Sequence, residues 1–523
     1  MSFFDYNTAC KYLALIERNI DVNKYQVGSI HVWPIVRVTL SNLLSNSGDI
    51  SQTENNRHKE PILNFIELVN QKFETLGVSN GTQDQRKDNP AYNVEKKTNI
   101  SSKGSSIVCF VGAIDDNNLR LENGWYCSII DSWYHLASSK FPCLKMEIFQ
   151  GQSNIDIAPR IYPPFLVYPQ FDIQHREDIM LLNELKKEIK SLVASINHYN
   201  HTSFGITFET GPCLTQSITC LESAMLIKNC VKPYLRDFRP NSVLMSNSYY
   251  YLGFGVHWAA SELGIIGVEL QHGANGDVHA AYTHKISLPK SGYAICPKIV
   301  SVWGNGSAKS IKKWYPKGHS HHEVIVGGKA TIPKVFSQQM AEIEQPLLKQ
   351  KTEIFDKVIL VSLQPYRDIG LTKQLLLSMM NAPPSWFWLI RCHPLAERPG
   401  RSGLWIDQVN EVMNSLPFTR YEADLATKLP LEIVLPLCTN HVTHFSSVFI
   451  EALAFGISTT FIHELGNLYK RFIDKGLAFM ATDHQEILNS ISTSNRHNID
   501  SEMIKYEIDT DISIQLEFLD SFG

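Results

Sequence analysis

Two series of short apolar runs, spaced by stretches with helical periodicity, constrain this chain more than any other feature. The first series comprises residues 107–111, 145–149, 243–246, 266–270, 299–303 and 324–326, and helical patterns at 177–197 and 215–237 separate several of them. The second comprises 358–363, 386–391, 432–435, 442–444 and 459–462. Strands that alternate with helices form parallel sheets, because a parallel connection needs a crossover long enough to hold a helix. Two series therefore predict two α/β units. Between them, Gly327-Gly328-Lys329-Ala330-Thr331-Ile332-Pro333 has the glycines and proline of a connector.

Length agrees with this division, since single cores stop growing at roughly 250–300 residues and the chain has 523 with 44% hydrophobic content. The expected domains are a helical N-terminal extension (1–76), a flexible polar loop (77–106), an N-terminal α/β unit (107–335), a C-terminal one (336–495) and a tail (496–523) returning to the first unit. Apolar positions at helical spacing, such as Tyr12, Leu13, Leu15 and Ile16, mark the extension. The polar composition around Asn80–Pro90 cannot offset the ordering entropy of a packed core.

A net charge of −4 gives no overall electrostatic footprint for nucleic acid, and none is expected as a partner. Ten cysteines without a Cys-x-x-Cys pair suit buried thiols in a reducing compartment. The first residues lack a basic, then apolar, signal-peptide pattern, so a cytoplasmic location is expected. Gly318-His319-Ser320-His321-His322-Glu323 has metal-ligand residue types without a closing partner motif, and no metal is expected.

Three constellations carry chemistry. The apolar run 266–270 leads into Gln271-His272-Gly273, where the glycine permits a positive φ or a close approach and the imidazole can exchange protons near neutrality. The run 386–391 ends in Arg391-Cys392-His393-Pro394; the proline holds His393 extended at a strand end, and Arg391 is a bidentate charge partner for phosphate. After Thr443 and His444 come Ser446 and Ser447, hydroxyls at a helix start that can cap it or bind an anion there. Glu451, four residues beyond Ser447, lies on roughly the same face and suits ribose hydroxyls. Taken singly, each has a plain reading as a loop cap, a turn or a helix start.

The order of these segments, with Ser29–Arg37 and Ser301-Val302-Trp303-Gly304, resembles the GT-B glycosyltransferases of bacterial surface-polysaccharide assembly. Within them the chain is similar to the capsule and O-antigen group that includes Kdo transferases, and more distantly to polysialyltransferases and CDP-glycerol glycerophosphotransferases. The resemblance implies two Rossmann-like domains facing a cleft, with Arg391, His393, Ser446, Ser447 and Glu451 holding a donor nucleotide and Gln271 and Gly273 lining the cleft. It also implies His272 or Asp131 as the catalytic group, the first as base in an inverting reaction and the second as nucleophile in a retaining one. The Asp-Asp-Gly or Glu-Asp-Gly triplet of polysialyltransferases is absent, Asp115-Asp116-Asn117 being the nearest approach.

Metal-independent transfer of a sugar, first a CMP-activated acidic sugar such as Kdo, to a glycan or lipid-linked acceptor is the leading expectation. A nucleotide-sugar is then a substrate and no cofactor is expected. Lys309, Lys312, Lys313, Lys317 and Lys329, with Trp314 and Tyr315, suggest either a solvated face or peripheral contact with the inner membrane. The alternatives are a UDP- or GDP-sugar or CDP-glycerol transferase, a nucleotide-sugar 2-epimerase, and a non-catalytic GT-B scaffold.

Overall fold

The architecture comes from a computed structural model that describes residues 6–46, 67–74, 107–113, 119–121, 124–149, 159–169, 173, 175–205, 210–274, 278–316, 319, 321–364, 370–397, 403–494 and 499–522. The polar stretch 77–106 and Asp115–Asn117 lie outside the described residues.

The first sheet contains seven strands: β1 (Val108–Ala113), β2 (Cys143–Ile148), β3 (Phe165–Val167), β4 (Ser242–Met245), β5 (Ile266–Leu270), β6 (Ile299–Val302) and β7 (Glu323–Val326). All pairings are parallel, in the spatial order β3-β2-β1-β4-β5-β6-β7. Val108 and Phe110 face one cluster with Leu244 and Val268, while Cys109, Val111 and Ala113 face another with Val243 and Met245. Because both faces are covered, the strands read as mainly apolar runs, with Lys145, Glu147 and Glu269 as buried exceptions.

The second sheet has six strands: β8 (Lys357–Ser362), β9 (Trp386–Arg391), β10 (Tyr421–Glu422), β11 (Asn440–Thr443), β12 (Thr459–Phe461) and β13 (Ala478–Met480). Its order, β10-β9-β8-β11-β12-β13, is again wholly parallel. In each sheet the first strand in sequence sits between the outward-running pair and the remaining strands. That is the Rossmann order, and it opens a crevice outside the carboxyl ends where the winding reverses. Two such units in tandem form the GT-B architecture.

The run 432–435, expected as a strand, is helical: Leu431–Val434 is a short helix with Pro430 at its N-cap. Ile433 and Val434 pack against Leu360 and Leu389 on one face of the second sheet. A four-residue apolar run has no periodicity to separate a buried strand from a buried turn of helix. The proline at its start fits the helix.

The N-terminal helices Tyr6–Asn19 and Trp33–Asn46 pack with helices Arg176–Phe204 and Thr210–Phe238 in one core. Within it the Arg37 guanidinium meets Glu17, and also donates to Ala280 O and Thr283 O, each at 2.8 Å. Glu17 further accepts from Trp33 Nε1 at 2.8 Å and from the amides of Ile286 and Ser287 at 2.7 and 2.9 Å. The Ser29–Arg37 segment thus anchors the extension to the loop after β5.

Gly327 and Gly328 leave β7, with Gly328 at φ +75°, and Lys329 N donates to Asp509 O at 2.7 Å. The last helix, Ile512–Asp520, packs Phe518 and Leu519 onto Phe110 and Trp133 of the first unit.

Candidate active site at the carboxyl ends of the two sheets

Beyond β5, Gln271 is buried, donates from Nε2 to Gly273 O at 2.7 Å and accepts from Trp303 N at 2.7 Å. Its amide braces the loop internally. His272, beside it, is partly buried; its Nε2 lies 3.3 Å from the Tyr249 hydroxyl, and its Nδ1 is shielded from solvent without a hydrogen-bond partner. Burial pulls its pKa down to about 4, so the ring is neutral at pH 7.

Gly273 is not among the positive-φ glycines, and a side-chain Cβ there would make only ordinary van der Waals contacts. A Cβ there would stand 3.4 Å from Ser447 Oγ and 3.5 Å from Ser447 Cβ. Ala274 then joins Phe445 and Phe449 in a cluster shared by the two units. The loop carrying His272 and the loop carrying the paired serines therefore meet across one cleft.

On the second unit, β11 ends at Thr443 and the following helix, Val448–Ala454, has only seven residues. Ser447 makes no capping bond, and Ser446 Oγ accepts from Val448 N at 3.4 Å. So short a helix has little macrodipole, and the anion site expected at its N-terminus reduces to the hydroxyls themselves. His393 follows β9, partly buried, where its carbonyl accepts from Ala396 N at 2.8 Å in the turn Pro394–Glu397.

Three candidate residues are engaged in ways the sequence did not suggest. Arg391 Nη1 donates to Ala426 O and Leu429 O, both at 2.6 Å, so one arm of this guanidinium is spent on bracing the chain. Glu451 Oε1 lies 3.0 Å from Lys329 Nζ, which also stands 3.7 Å from Glu432. Burial works against the charge on Lys329, yet the carboxylates of Glu451 and Glu432 outweigh it and raise its pKa. Asp131 is wholly buried, 2.6 Å from Lys145 Nζ, and accepts from Cys127 N at 2.8 Å. Lys145 also reaches Glu147 at 3.1 Å, and Glu147 reaches Arg160 at 3.0 Å. An enclosed set of two cations and two anions is suited to holding β2 against the helix Ile130–Ser138, not to attacking a sugar.

Lys309, Lys312 and Lys313 are exposed, as a solvated face requires, and Lys317 lies outside the described residues; the rest of the lysine and histidine clusters is taken up by the fold. Trp314 is buried and stacks on His284 with ring centroids 3.7 Å apart, while Lys329 belongs to the inter-unit pair. His322 accepts from Tyr293 N at 2.8 Å and lies 2.6 Å from Pro297 O, so both its ring nitrogens are used within the fold. Among the described residues no helix is long and apolar enough to cross a membrane.

Sequence reasoning passed over several groups at this site. His444, just past β11, is fully buried with neither ring nitrogen hydrogen-bonded, and burial, with His463 adding, lowers its pKa to about 4. Gln364, just past β8, is buried with Nε2 unpaired. Both lie where the second sheet reverses direction, and that position was the one available signal. Glu269 in β5 accepts from the Tyr282 hydroxyl and from Ser248 N at 3.4 Å; burial raises its pKa to about 7 despite those bonds. An acid inside an apolar strand run was the clue there.

No family model matches the sequence, and no curated protein matches it significantly. Among solved structures, the chain is similar to the UDP-GlcNAc 2-epimerase of Neisseria meningitidis bound to UDP-GlcNAc, at 13% identity over 80% of this chain and 99% of that one, TM-score 0.44. The UDP-GlcNAc 2-epimerase of Methanocaldococcus jannaschii gives 8% identity over 79% and 99%, TM-score 0.44. The calicheamicin glycosyltransferase CalG4 gives 12% over 80% and 95%, TM-score 0.37.

Proposed function

We propose that the chain is a nucleotide-sugar enzyme that breaks the anomeric bond between sugar and nucleotide in the cleft between its two units. The approach of Gly273 to Ser447 carries this reading, since it brings a neutral imidazole from one Rossmann crevice and two hydroxyls from the other to a common place. The nucleotide would lie on the second unit, with His393, Ser446 and Ser447 donating to phosphate as charge develops on the leaving group. His272 would take the proton, from an acceptor hydroxyl in a transfer.

A CMP-linked acidic sugar is not favoured by this set of groups. The carboxylate of such a sugar calls for a cation, whereas Lys329 is paired with carboxylates and Arg391 spends two of its donors on Ala426 O and Leu429 O. A neutral sugar on a nucleoside diphosphate suits the site better, and UDP-GlcNAc is the first ligand to try.

Epimerisation at the sugar's C2 is the second reading. The narrow gap between Gly273 and Ser447 favours it, because it asks the cleft to admit one substrate and not two. Incubation with UDP-GlcNAc in heavy water separates the two. Epimerisation exchanges the C2 proton for deuterium, whereas transfer leaves C2 untouched and releases UDP only with an acceptor. Absence of binding to any of UDP, CMP, CDP or GDP in a thermal-shift screen would remove both readings.

A further inference from the structure

The strand β4 ends at Met245 and runs into Ser246-Asn247-Ser248-Tyr249. Asn247 has φ +56°, a left-handed conformation that asparagine tolerates better than most residues. This kink brings its side-chain oxygen within 3.2 Å of the Tyr249 hydroxyl, which donates to it. The loop is held from below, as Ser248 N donates to Glu269 and Ser248 Oγ lies 2.8 Å from His257 Nε2. The Tyr249 ring is fixed edge-on by His279 and Tyr282, with centroids 4.8 and 5.8 Å away.

A phenol has one proton to donate. Since Tyr249 gives it to Asn247, its oxygen can only accept from His272 Nε2 at 3.3 Å. The proton of the neutral ring must then sit on Nε2, and Nδ1 retains its lone pair. That atom is shielded from solvent and has no hydrogen-bond partner.

We propose that Asn247 and Tyr249 are positioning residues that hold His272 as its Nε2–H tautomer, making Nδ1 the atom that accepts the proton in the reaction. The second half of this statement rests on the function proposed above; the tautomer stands on the loop geometry alone. In the reaction the proton leaves the acceptor hydroxyl for Nδ1 as its oxygen bonds to the anomeric carbon, or leaves C2 of the sugar for Nδ1 as the C–H electrons form a C1=C2 double bond. In either case the electrons of the anomeric C–O bond leave with the nucleotide.

The test uses the full chain labelled with 15N at histidine, with His272→Gln identifying the His272 signals in long-range proton–nitrogen spectra. Wild type is expected to show a protonated Nε2 and a pyridine-like Nδ1. Tyr249→Phe, and Asn247→Gly, which tolerates the positive φ but lacks the acceptor, should each shift His272 toward the other tautomer. Both should lower kcat roughly 10- to 100-fold, by analogy with the loss seen for outer partners of metal-ligating histidines, with KM little changed. Asn247→Asp, which still accepts from Tyr249, should retain the wild-type spectrum and rate. A proton on Nδ1 in wild type, or an unchanged His272 spectrum in Tyr249→Phe, overturns the proposal whatever the activity. The expected spectra without turnover of any nucleotide-sugar would instead overturn the functional reading and leave the tautomer standing.

Discussion

Lys329 Nζ stands 3.0 Å from Glu451 Oε1, joining the strap that leaves the first sheet to the helix behind the paired serines of the second. The lysine also lies over the Trp303 ring, 5.7 Å from its centroid. The acid that sequence suggests for ribose is therefore half of an inter-unit ion pair, with side chains 16% and 20% exposed.

Removing the cation should expose that role. Lys329→Met removes the lysine that pairs with Glu451 and Glu432 and leaves the field of Arg391 to offset them, so an unfolding free energy lower by about 2 kcal/mol is expected, less than for a fully buried pair. Urea denaturation measures it. If Glu451→Gln costs similar stability but leaves nucleotide affinity intact, the acid serves the ion pair and not the ribose.

Asp131→Asn should act on folding alone. The change weakens the partnership of a buried lysine that retains Glu147, at a cost of about 3 kcal/mol. The folded fraction should turn over at the wild-type kcat. A loss of a thousandfold in correctly folded protein would return Asp131 to the chemistry.

The two basic and imidazole neighbours at the end of β9 should separate cleanly. Arg391→Met forfeits two charge-assisted bonds to carbonyls and should lower stability by about 2–3 kcal/mol, with the nucleotide Kd little altered. His393→Ala should weaken nucleotide binding about tenfold with a small effect on stability, as read by calorimetric titration. The reverse pattern would exchange their roles.

Stability should fall on the acid side of neutrality. Burial lowers the pKa of His257, His279 and His441 to about 3, and those of His272 and His444, the latter helped by His463, to about 4. In the unfolded chain a histidine titrates near 6.5, so between these values the unfolded state binds more protons and acid favours unfolding. The stabilisation is complete above pH 6.5 and drains away as pH drops toward 4. Thermal midpoints measured from pH 8 to 4 should be level at first and then decline steeply below about 6.5. For the same reason, His272 should remain a competent base down to about pH 5, and a kcat/KM profile that breaks near 6.5 would contradict its burial.

The two-sheet plan was legible because its strands are buried on both faces, and runs such as Val108–Ala113 and Trp386–Arg391 keep that signature whatever surrounds them. Shorter strands were not. Phe165–Val167, Tyr421–Glu422 and Ala478–Met480 are two or three residues long and lie at sheet edges, so pairing rather than composition defines them. His272, Ser446 and Ser447 could be picked out because residues at strand ends point toward the crevice of any parallel α/β sheet.

Sequence by itself thus determined where the longer buried strands lie, that the sheets are parallel, and which chain positions fall at their carboxyl ends. Tertiary structure alone decided which of those side chains are spoken for. Asp131 meets Lys145, Lys329 meets Glu451, and His272 meets Tyr249 only because strand order and inter-unit packing bring together residues distant along the chain. Burial then sets the charge state of each, and neither partner nor burial is encoded in the local pattern around any one of them.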